Sequence, residues 1–284
     1  MKNCIWISPK DSGVSHNRLY YFKKTFTLDK IAEGVVEISA QSRYKLYING
    51  RFVTEGPAPS YPCDYFYNEA DVTELLNDGE NTFAVHTYYQ GLVNRVGQSG
   101  DHRHGLLCDV EVDEKIILSS DESFLVALHT GYTESGTCGY QTQFLETYDC
   151  RAREVGFERP DFDDSDWANA SICQYDDHTV TAQQSAMLVF EHVAPAQTKV
   201  EGNRVFLDFG ATFVGYVDAV ACGDAGDEIT VCDMQRREYS CELTDFLSDR
   251  VLGRVLSVTE AQTEPPDEIT LYQALPKGDK LDSI

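Results

Sequence analysis

YKLYINGRFV, residues 44–53, carries the clearest strand signal in the chain. Apolar and polar residues alternate on both sides of Asn49-Gly50, a pattern typical of strands with one buried face. Because Asn-Gly favours the positive φ angles of a two-residue turn, the stretch predicts a tight β-hairpin. The residues expected to face the core are Leu46, Ile48, Phe52 and Val53, and those expected to face solvent are Lys45, Asn49 and Arg51.

Short strand-like segments continue on both sides of this hairpin. They read GVVEISA (34–40), TFAVHTYY (82–89), LLCDVEV (106–112), KIILSS (115–120) and SFLVAL (123–128). Residues 71–81, DVTELLNDGEN, offer an Asp N-cap and a Gly stop, which predict a single short helical turn. No helical period persists for about 12 residues, and the spacing of the strands is typical of a sandwich, so the sequence predicts an all-β protein.

Breaks in periodicity predict the domain organisation. We expect a first β-sandwich over residues 1–178 and an extended linker over 179–199, which includes Pro195. RVFLDFG at 204–210 opens a second set of strands, assigned to an incomplete second sandwich over 200–256. Residues 257–284 contain the pair Pro265-Pro266 and many charges, and we expect an irregular tail and a truncated protein.

The charge balance excludes some partners. The chain has 23 Lys and Arg against 47 Asp and Glu, a formal net charge of −24. This charge repels nucleic acid and anionic membranes. A neutral sugar is compatible with it, although acidity that only keeps the protein soluble remains an equally good interpretation.

Nine cysteines, at positions 4, 63, 108, 138, 150, 173, 222, 232 and 241, include no CxxC pair. Their odd number and spacing support neither a disulfide framework nor a structural zinc site. The N-terminus lacks an apolar run of signal-peptide length, and no stretch of about 20 apolar residues predicts a membrane span. We expect a protein of a reducing, cytoplasmic compartment.

The densest polar cluster is YYQGLVNRVGQSGDHRHG, residues 88–105. Tyrosine rings could stack on a sugar and polar side chains could bind its hydroxyls. A surface loop whose tyrosines help to close the core is the competing interpretation. His102 and His104 lack further ligands at metal-binding spacing, so exposed loop histidines are preferred over zinc. The carbohydrate-binding candidates are Tyr88, Tyr89, Asn94, Arg95, Asp101 and His102.

A second polar cluster is the acidic loop GFERPDFDDSDWANASI, residues 156–172. Its carboxylates are Asp161, Asp163, Asp164 and Asp166. A turn with caps on the local backbone is the preferred interpretation, ahead of a calcium site and of catalysis by a carboxyl pair. No cofactor is therefore predicted, with calcium kept as an alternative. No G-x-S-x-G, H-E-x-x-H or phosphate-binding loop motif occurs.

Several segments together resemble the N-terminal region of α-L-rhamnosidases of glycoside hydrolase family 78. They are YFKKTFTL (21–28), SRYKLYINGRFVTEGPAPSYPCDYFY (42–67), DVTELLNDGENTFAVHTYYQG (71–91), ETYDCRAREVGF (146–157), PDFDDSDWANA (160–170) and VFLDFGATFVGY (205–216). Their order and spacing are specific, and they span roughly residues 5 to 235. The resemblance implies a galactose-binding-like jelly roll, then a further β-sandwich, then an (α/α)6 barrel where the glycosidic bond is cut.

The resemblance also implies a function. Its catalytic acid and base lie on the barrel, beyond the last motif found here, so no catalytic residue is carried over. We expect a non-catalytic accessory region that braces a missing catalytic domain and can bind a rhamnose-containing glycan, and that is inactive alone. A stand-alone carbohydrate-binding module is the alternative, and a hydrolase acting through the acidic loop is disfavoured.

Overall fold

The computed structural model describes most of the first two thirds of the chain and short segments beyond it. The described residues are 4–10, 16–29, 33–60, 64–91, 104–138, 143–148, 156–173, 179–187, 189, 191–202, 204–211, 217–221, 228–232, 238–242, 251–255 and 269–273. The chain divides into two compact units, Met1–Val189 and Phe190–Ile284.

In the described part of the first unit, the secondary structure consists of β-strands and one turn of 3-10 helix, Thr73–Leu75. Its strands are β1 (Ile7–Ser8), β2 (Arg18–Leu28), β3 (Gly34–Gln41), β4 (Arg43–Ile48), β5 (Arg51–Gly56), β6 (Asp64–Asp71), β7 (Gly79–Tyr89), β8 (Gly105–Val112), β9 (Lys115–Ser119), β10 (Leu125–Leu128), β11 (Tyr132–Cys138), β12 (Gln143–Tyr148), β13 (Ala168–Asn169), β14 (Ser171–Ile172) and β15 (Thr179–Ala182).

Two large sheets pack face to face as a sandwich. One has the order β14-β1-β8-β3-β6-β15 with β9 paired to β8, and the other has the order β13-β10-β2-β7-β4-β5. Alternate residues of both sheets contribute to one contiguous core. Phe22, Ile38, Leu46, Phe83 and Cys108 are each 0% exposed within it. The all-β prediction is confirmed.

The predicted hairpin is confirmed, with one side chain placed differently. Asn49 and Gly50 have φ angles of 52° and 80°, and they connect β4 to β5. Leu46 and Ile48 are 0% exposed, but Phe52 is 38% exposed, so its assignment to the core is wrong. The two-residue turn pairs Ile48 with Arg51 and Tyr47 with Phe52, which places Phe52 on the outer side of the sheet; the register shift comes only after this pair.

Asn49 also connects the hairpin to the neighbouring turn through its side chain. Its Oδ1 accepts a hydrogen bond from the Thr82 N–H at 2.8 Å. Its Nδ2 donates to the Leu75 carbonyl and to Asn81 Oδ1, each at 2.8 Å. The predicted helical turn is the 3-10 turn Thr73–Leu75, where Asp71 Oδ1 accepts from the Thr73 N–H at 2.9 Å. Hairpin and helical turn therefore form one hydrogen-bonded unit.

The segment expected to begin the linker contains a strand of the first unit. β15 pairs in parallel with β6, from Thr179 opposite Asp64 to Ala182 opposite Tyr67. Gln183 follows it, and its Oε1 accepts from the Ala58 N–H and from Asn68 Nδ2, each at 2.7 Å. These contacts attach the outgoing chain to the sandwich.

The described strands of the second unit are β16 (Gln197–Glu201), β17 (Arg204–Asp208), β18 (Val217–Ala221), β19 (Glu228–Cys232), β20 (Glu238–Glu242), β21 (Val251–Val255) and β22 (Ile269–Gln273). Five of them form a sheet of order β16-β17-β22-β19-β20, and β18 pairs with β21. β22 lies within the segment expected to be an irregular tail, and it occupies the centre of that sheet. Among the described residues, no helix has the length and apolarity needed to cross a bilayer.

Candidate functional site

The sheet that contains β2, β4 and β7 has a second aromatic surface on the side away from the core. Strand alternation places Phe22 in the core and Tyr21 and Lys23 on the opposite side. The register sets Tyr21 beside His86, and His86 beside Lys45. We call the surface formed by Tyr21, Tyr47, Ala84, His86 and His129 the outer aromatic face.

Residues 156–167 cover this face, and we call them the cover. The ring centroid of Phe157 lies 4.0 Å from that of Tyr21, and the centroid of Trp167 lies 6.1 Å from it. Phe162 packs edge-on against Trp167 at 5.7 Å. Turn hydrogen bonds shape the segment, among them Arg159 N–H to the Gly156 carbonyl at 3.0 Å. The rings therefore form a small second core outside the sandwich.

An ion pair attaches the cover to the sheet. Lys23, only 2% exposed, places its Nζ 3.0 Å from Asp164 Oδ2. The same ammonium donates to the Phe162 carbonyl at 3.4 Å and lies 5.1 Å from the centre of its ring. A buried ammonium is costly unless it is paired and hydrogen-bonded. The cover provides both, as the Asp164 carboxylate and the Phe162 carbonyl.

The acidic loop therefore has a structural role at two of its carboxylates. Asp164 pairs with Lys23, and Asp163 Oδ1 accepts from the Ser165 N–H at 3.1 Å. The interpretation as a capped turn fits the Asp163 contact, whereas the ion pair of Asp164 with Lys23 is a long-range contact that it did not include. No group of three His, Cys, Asp or Glu side chains is arranged to hold a metal within the part of the chain that the structure describes.

Two imidazoles lie under the cover. The ring centroids of His86 and His129 are 5.2 Å apart, and Tyr132 lies edge-on to His129 at 4.6 Å. His86 Nε2 is buried without a hydrogen-bond partner, while His129 Nδ1 accepts from the Gly131 N–H at 3.1 Å. Burial, with the charges of His129 and Lys45, holds the pKa of His86 well below its usual range. Burial lowers the pKa of His129 to about 4.

The tyrosines of the predicted sugar-binding segment lie on opposite sides of β7. Tyr89 is 1% exposed and faces inward, with its ring edge-on to His104 at 5.9 Å. Tyr88 is partly exposed on the outer side. Neighbouring residues of a strand cannot form one stacking surface. Asn94, Arg95, Asp101 and His102 lie outside the described residues, so carbohydrate binding by this segment stays a prediction.

His104 is buried, and its assignment to an exposed loop is wrong. It is 4% exposed and packs against Tyr20, with ring centroids 4.9 Å apart. Thr87 Oγ1 donates its one proton to the Tyr20 carbonyl, so His104 Nε2 donates to Thr87 Oγ1 at 2.9 Å. Nδ1 is left without a partner, and burial lowers the pKa of His104 to about 3.

Sequence reasoning missed the outer aromatic face, although two signals point to it. In TFAVHTYY the residues between the core positions are Ala84, His86 and Tyr88, which is an unusually apolar outward side for a solvated strand. The acidic loop also carries Phe157, Phe162 and Trp167 among its charges. An apolar outer side and an aromatic loop together indicate a covered sheet face.

Comparison with known proteins identifies the family. Residues 29–190 match the family described as the alpha-L-rhamnosidase N-terminal domain. An alpha-L-rhamnosidase of Streptomyces avermitilis is 25% identical over 213 residues, which cover 70% of this chain and 20% of the relative. One from Alteromonas sp. (strain LOR) is 22% identical over 245 residues, covering 80% of this chain and 27% of the relative.

A solved structure supports the fold. The alpha-L-rhamnosidase of Aspergillus terreus superimposes with a TM-score of 0.67 at 19% identity, over 99% of this chain and 35% of that one. The chain spans only 20% to 27% of the length of the two sequence relatives. The matched segment, 29–190, includes the hairpin, the segment around Tyr88 and the whole cover. The chain belongs to the alpha-L-rhamnosidase N-terminal domain family.

Proposed function

We propose that this chain is an accessory β-sandwich region of an α-L-rhamnosidase-type glycoside hydrolase and hydrolyses no glycoside by itself. The proposal rests on the match of residues 29–190 to an N-terminal domain family. The chain also spans only 20% to 27% of the length of its two sequence relatives. Its role is to brace the catalytic part of such an enzyme. A cytoplasmic setting belongs to the proposal and is supported by the free thiols of Cys4, Cys108 and Cys173.

The acidic loop supports the absence of hydrolysis. A glycosidase needs two carboxyl groups roughly 5 to 10 Å apart that face the scissile bond. Asp164 is instead paired with the buried Lys23, and Asp163 caps the turn. Both carboxylates are therefore engaged by contacts within the chain and are not arranged as a pair that faces a glycosidic bond.

A rhamnose-containing glycan is the proposed small-molecule partner. The net charge of −24 disfavours anionic ligands and is compatible with a neutral sugar. A Streptomyces avermitilis relative of similar fold has been solved with L-rhamnose, and it is 19% identical. Arg95 and Asp101 are the side chains proposed to bind the hydroxyls, as the polar residues of the segment 88–105.

Two assays on the full chain test the proposal. We expect no release of aryl alcohol from an aryl rhamnoside, and weak binding of L-rhamnose by calorimetry that falls about tenfold or more in R95A and D101A. The R51A variant, at an exposed position of the hairpin, is the matched control for loss of an arginine. Turnover abolished by D163N or D164N would refute the accessory role. Equal rhamnose affinity in all variants would remove the segment from consideration.

A further inference from the structure

The outer aromatic face encloses two basic groups where a positive charge is poorly accommodated. His86 Nε2 is buried with no hydrogen-bond partner, and His86 is stacked on Tyr21 with ring centroids 4.7 Å apart. His129 lies 4.6 Å from the same tyrosine ring. Phe157 of the cover closes the site from above, 6.2 Å from His86.

Protonation of either ring conflicts with its contacts. His129 Nδ1 accepts from the Gly131 N–H at 3.1 Å. A proton on Nδ1 would make it a donor that faces the Gly131 N–H, so this hydrogen bond would be lost. A proton on His86 Nε2 would be an unpaired charge inside an aromatic cluster. Because the rings are neighbours, charging one also disfavours charging the other while the cover is closed.

The groups that face the two imidazoles do not offset such a charge. β4 contributes Lys45, whose Nζ lies 3.9 Å from Glu55 of β5. β2 contributes Tyr21, β11 contributes Tyr132, and the cover contributes Phe157. The causes that depress the pKa of His86 are burial, His129 and Lys45, with no carboxylate among them. The charge on Lys45 therefore adds to the cost of protonation.

Opening of the cover would relieve this conflict without unfolding the sandwich. The cover is held by aromatic contacts and by the pair of Lys23 with Asp164 at 3.0 Å, and Asp164 is 27% exposed. The main core lies on the other side of the sheet and contains no residue of the cover. The second core can thus separate while the first stays intact.

We propose that the cover, residues 156–167, is an acid-sensitive lid that opens from the outer aromatic face before the sandwich core unfolds, with His86 and His129 as its trigger. The direction of the pH dependence follows from the lowered pKa values of His86 and His129. The closed form has its full stability above the ordinary histidine pKa of 6.5. That stability is lost as pH falls from 6.5 toward about 4, the folded value for His129.

The chain carries a natural pair of reporters for this event. Its 2 tryptophans are Trp167 in the cover and Trp6, which packs against Tyr65 in a separate cluster on the other sheet. W6F isolates the emission of Trp167, and W167F isolates that of Trp6. We expect the Trp167 emission to shift to longer wavelength between about pH 6 and 4, while Trp6 changes only at lower pH.

The trigger is tested by substitution. In W6F with H86F and H129F, the midpoint of the Trp167 transition should fall by about one pH unit or more. The exposed His192 provides the control: H192F in the same background should leave the midpoint unchanged. A common midpoint for both tryptophans, or an unchanged midpoint in the double histidine variant, would overturn the proposal.

A second measurement needs no substitution and keeps the proposal testable if the histidine variants do not fold. Hydrogen exchange on the unmodified chain, corrected for the intrinsic effect of pH, should show at least a tenfold loss of protection in peptides of residues 156–167 at pH 4.5 relative to pH 7. Peptides of β3 and β8 should keep their protection. Equal losses in cover and core would contradict local opening.

Discussion

Replacing Asn81 with Ala should strongly destabilise the first unit, because this β7 side chain bonds to the turn that precedes it and to the hairpin. Asn81 is 1% exposed. It accepts from Asn49 Nδ2 and from the Asn77 N–H, each at 2.8 Å, and donates to the carbonyls of Asn77 at 2.8 Å and Gly79 at 3.1 Å. At about 1 kcal/mol for each of these bonds the loss approaches about 4 kcal/mol. Water can replace part of the bonding at the exposed Asn77, so we expect the free energy of unfolding to fall by about 3 kcal/mol.

Urea unfolding of the full chain, followed by tryptophan fluorescence, measures this change in the free energy of unfolding. N77A is the matched control, because the Asn77 contacts to Asn81 use only its backbone. It should cost about 0.5 kcal/mol or less. N49A combined with N81A should cost less than the sum of the single changes, since the two side chains bond directly. A loss in N81A no larger than that in N77A would refute the reasoning.

Three further changes test other buried polar groups. With a folded pKa of about 3, His104 destabilises the fold as pH falls below 6.5, so H104L should lower the slope of the free energy of unfolding against pH by about 1.4 kcal/mol per pH unit between 6 and 4. Equal slopes for the H104L variant and the unmodified chain would contradict this. Y44F removes the 2.6 Å bond from Tyr44 to Asn68 Oδ1 and should cost about 1 to 2 kcal/mol in urea, whereas a neutral result would show that water replaces it. D164N leaves the ammonium of Lys23 buried without its carboxylate and should lower the thermal midpoint by several degrees, with the loss absent if Lys23 is already replaced by Met.

The sequence predicted the sandwich well because its strands carry strong local signals. The hairpin required only alternation and the turn preference of Asn49-Gly50, both of which act over a few residues. Phe52 was misplaced because it was grouped with its neighbour Val53, although the two-residue turn pairs Phe52 with the outward-facing Tyr47. β22 was missed because its partners, β17 and β19, are far away in sequence.

The candidate site was harder to predict because it depends on long-range packing. The cover meets the sheet through Lys23 and Asp164, which are far apart in the chain, and nothing local links an acidic loop to one buried lysine. His104 was expected in a loop because polar residues surround it, whereas its position immediately before β8 places it in the core. Local composition describes a residue's neighbours along the chain, not its neighbours in space.

The parallel pairing of β15 with β6 determines where the chain can be cut. β15 occupies the open edge of β6, and Gln183 binds the loop beside it through the Ala58 N–H. A fragment ended at residue 178 would expose a row of unsatisfied amides and carbonyls, ready to pair with a second molecule. Such a fragment should form oligomers that grow with concentration, whereas one ended at 189 should remain monomeric by light scattering. Deletion studies on this protein should therefore keep residues 179–189 with the sandwich.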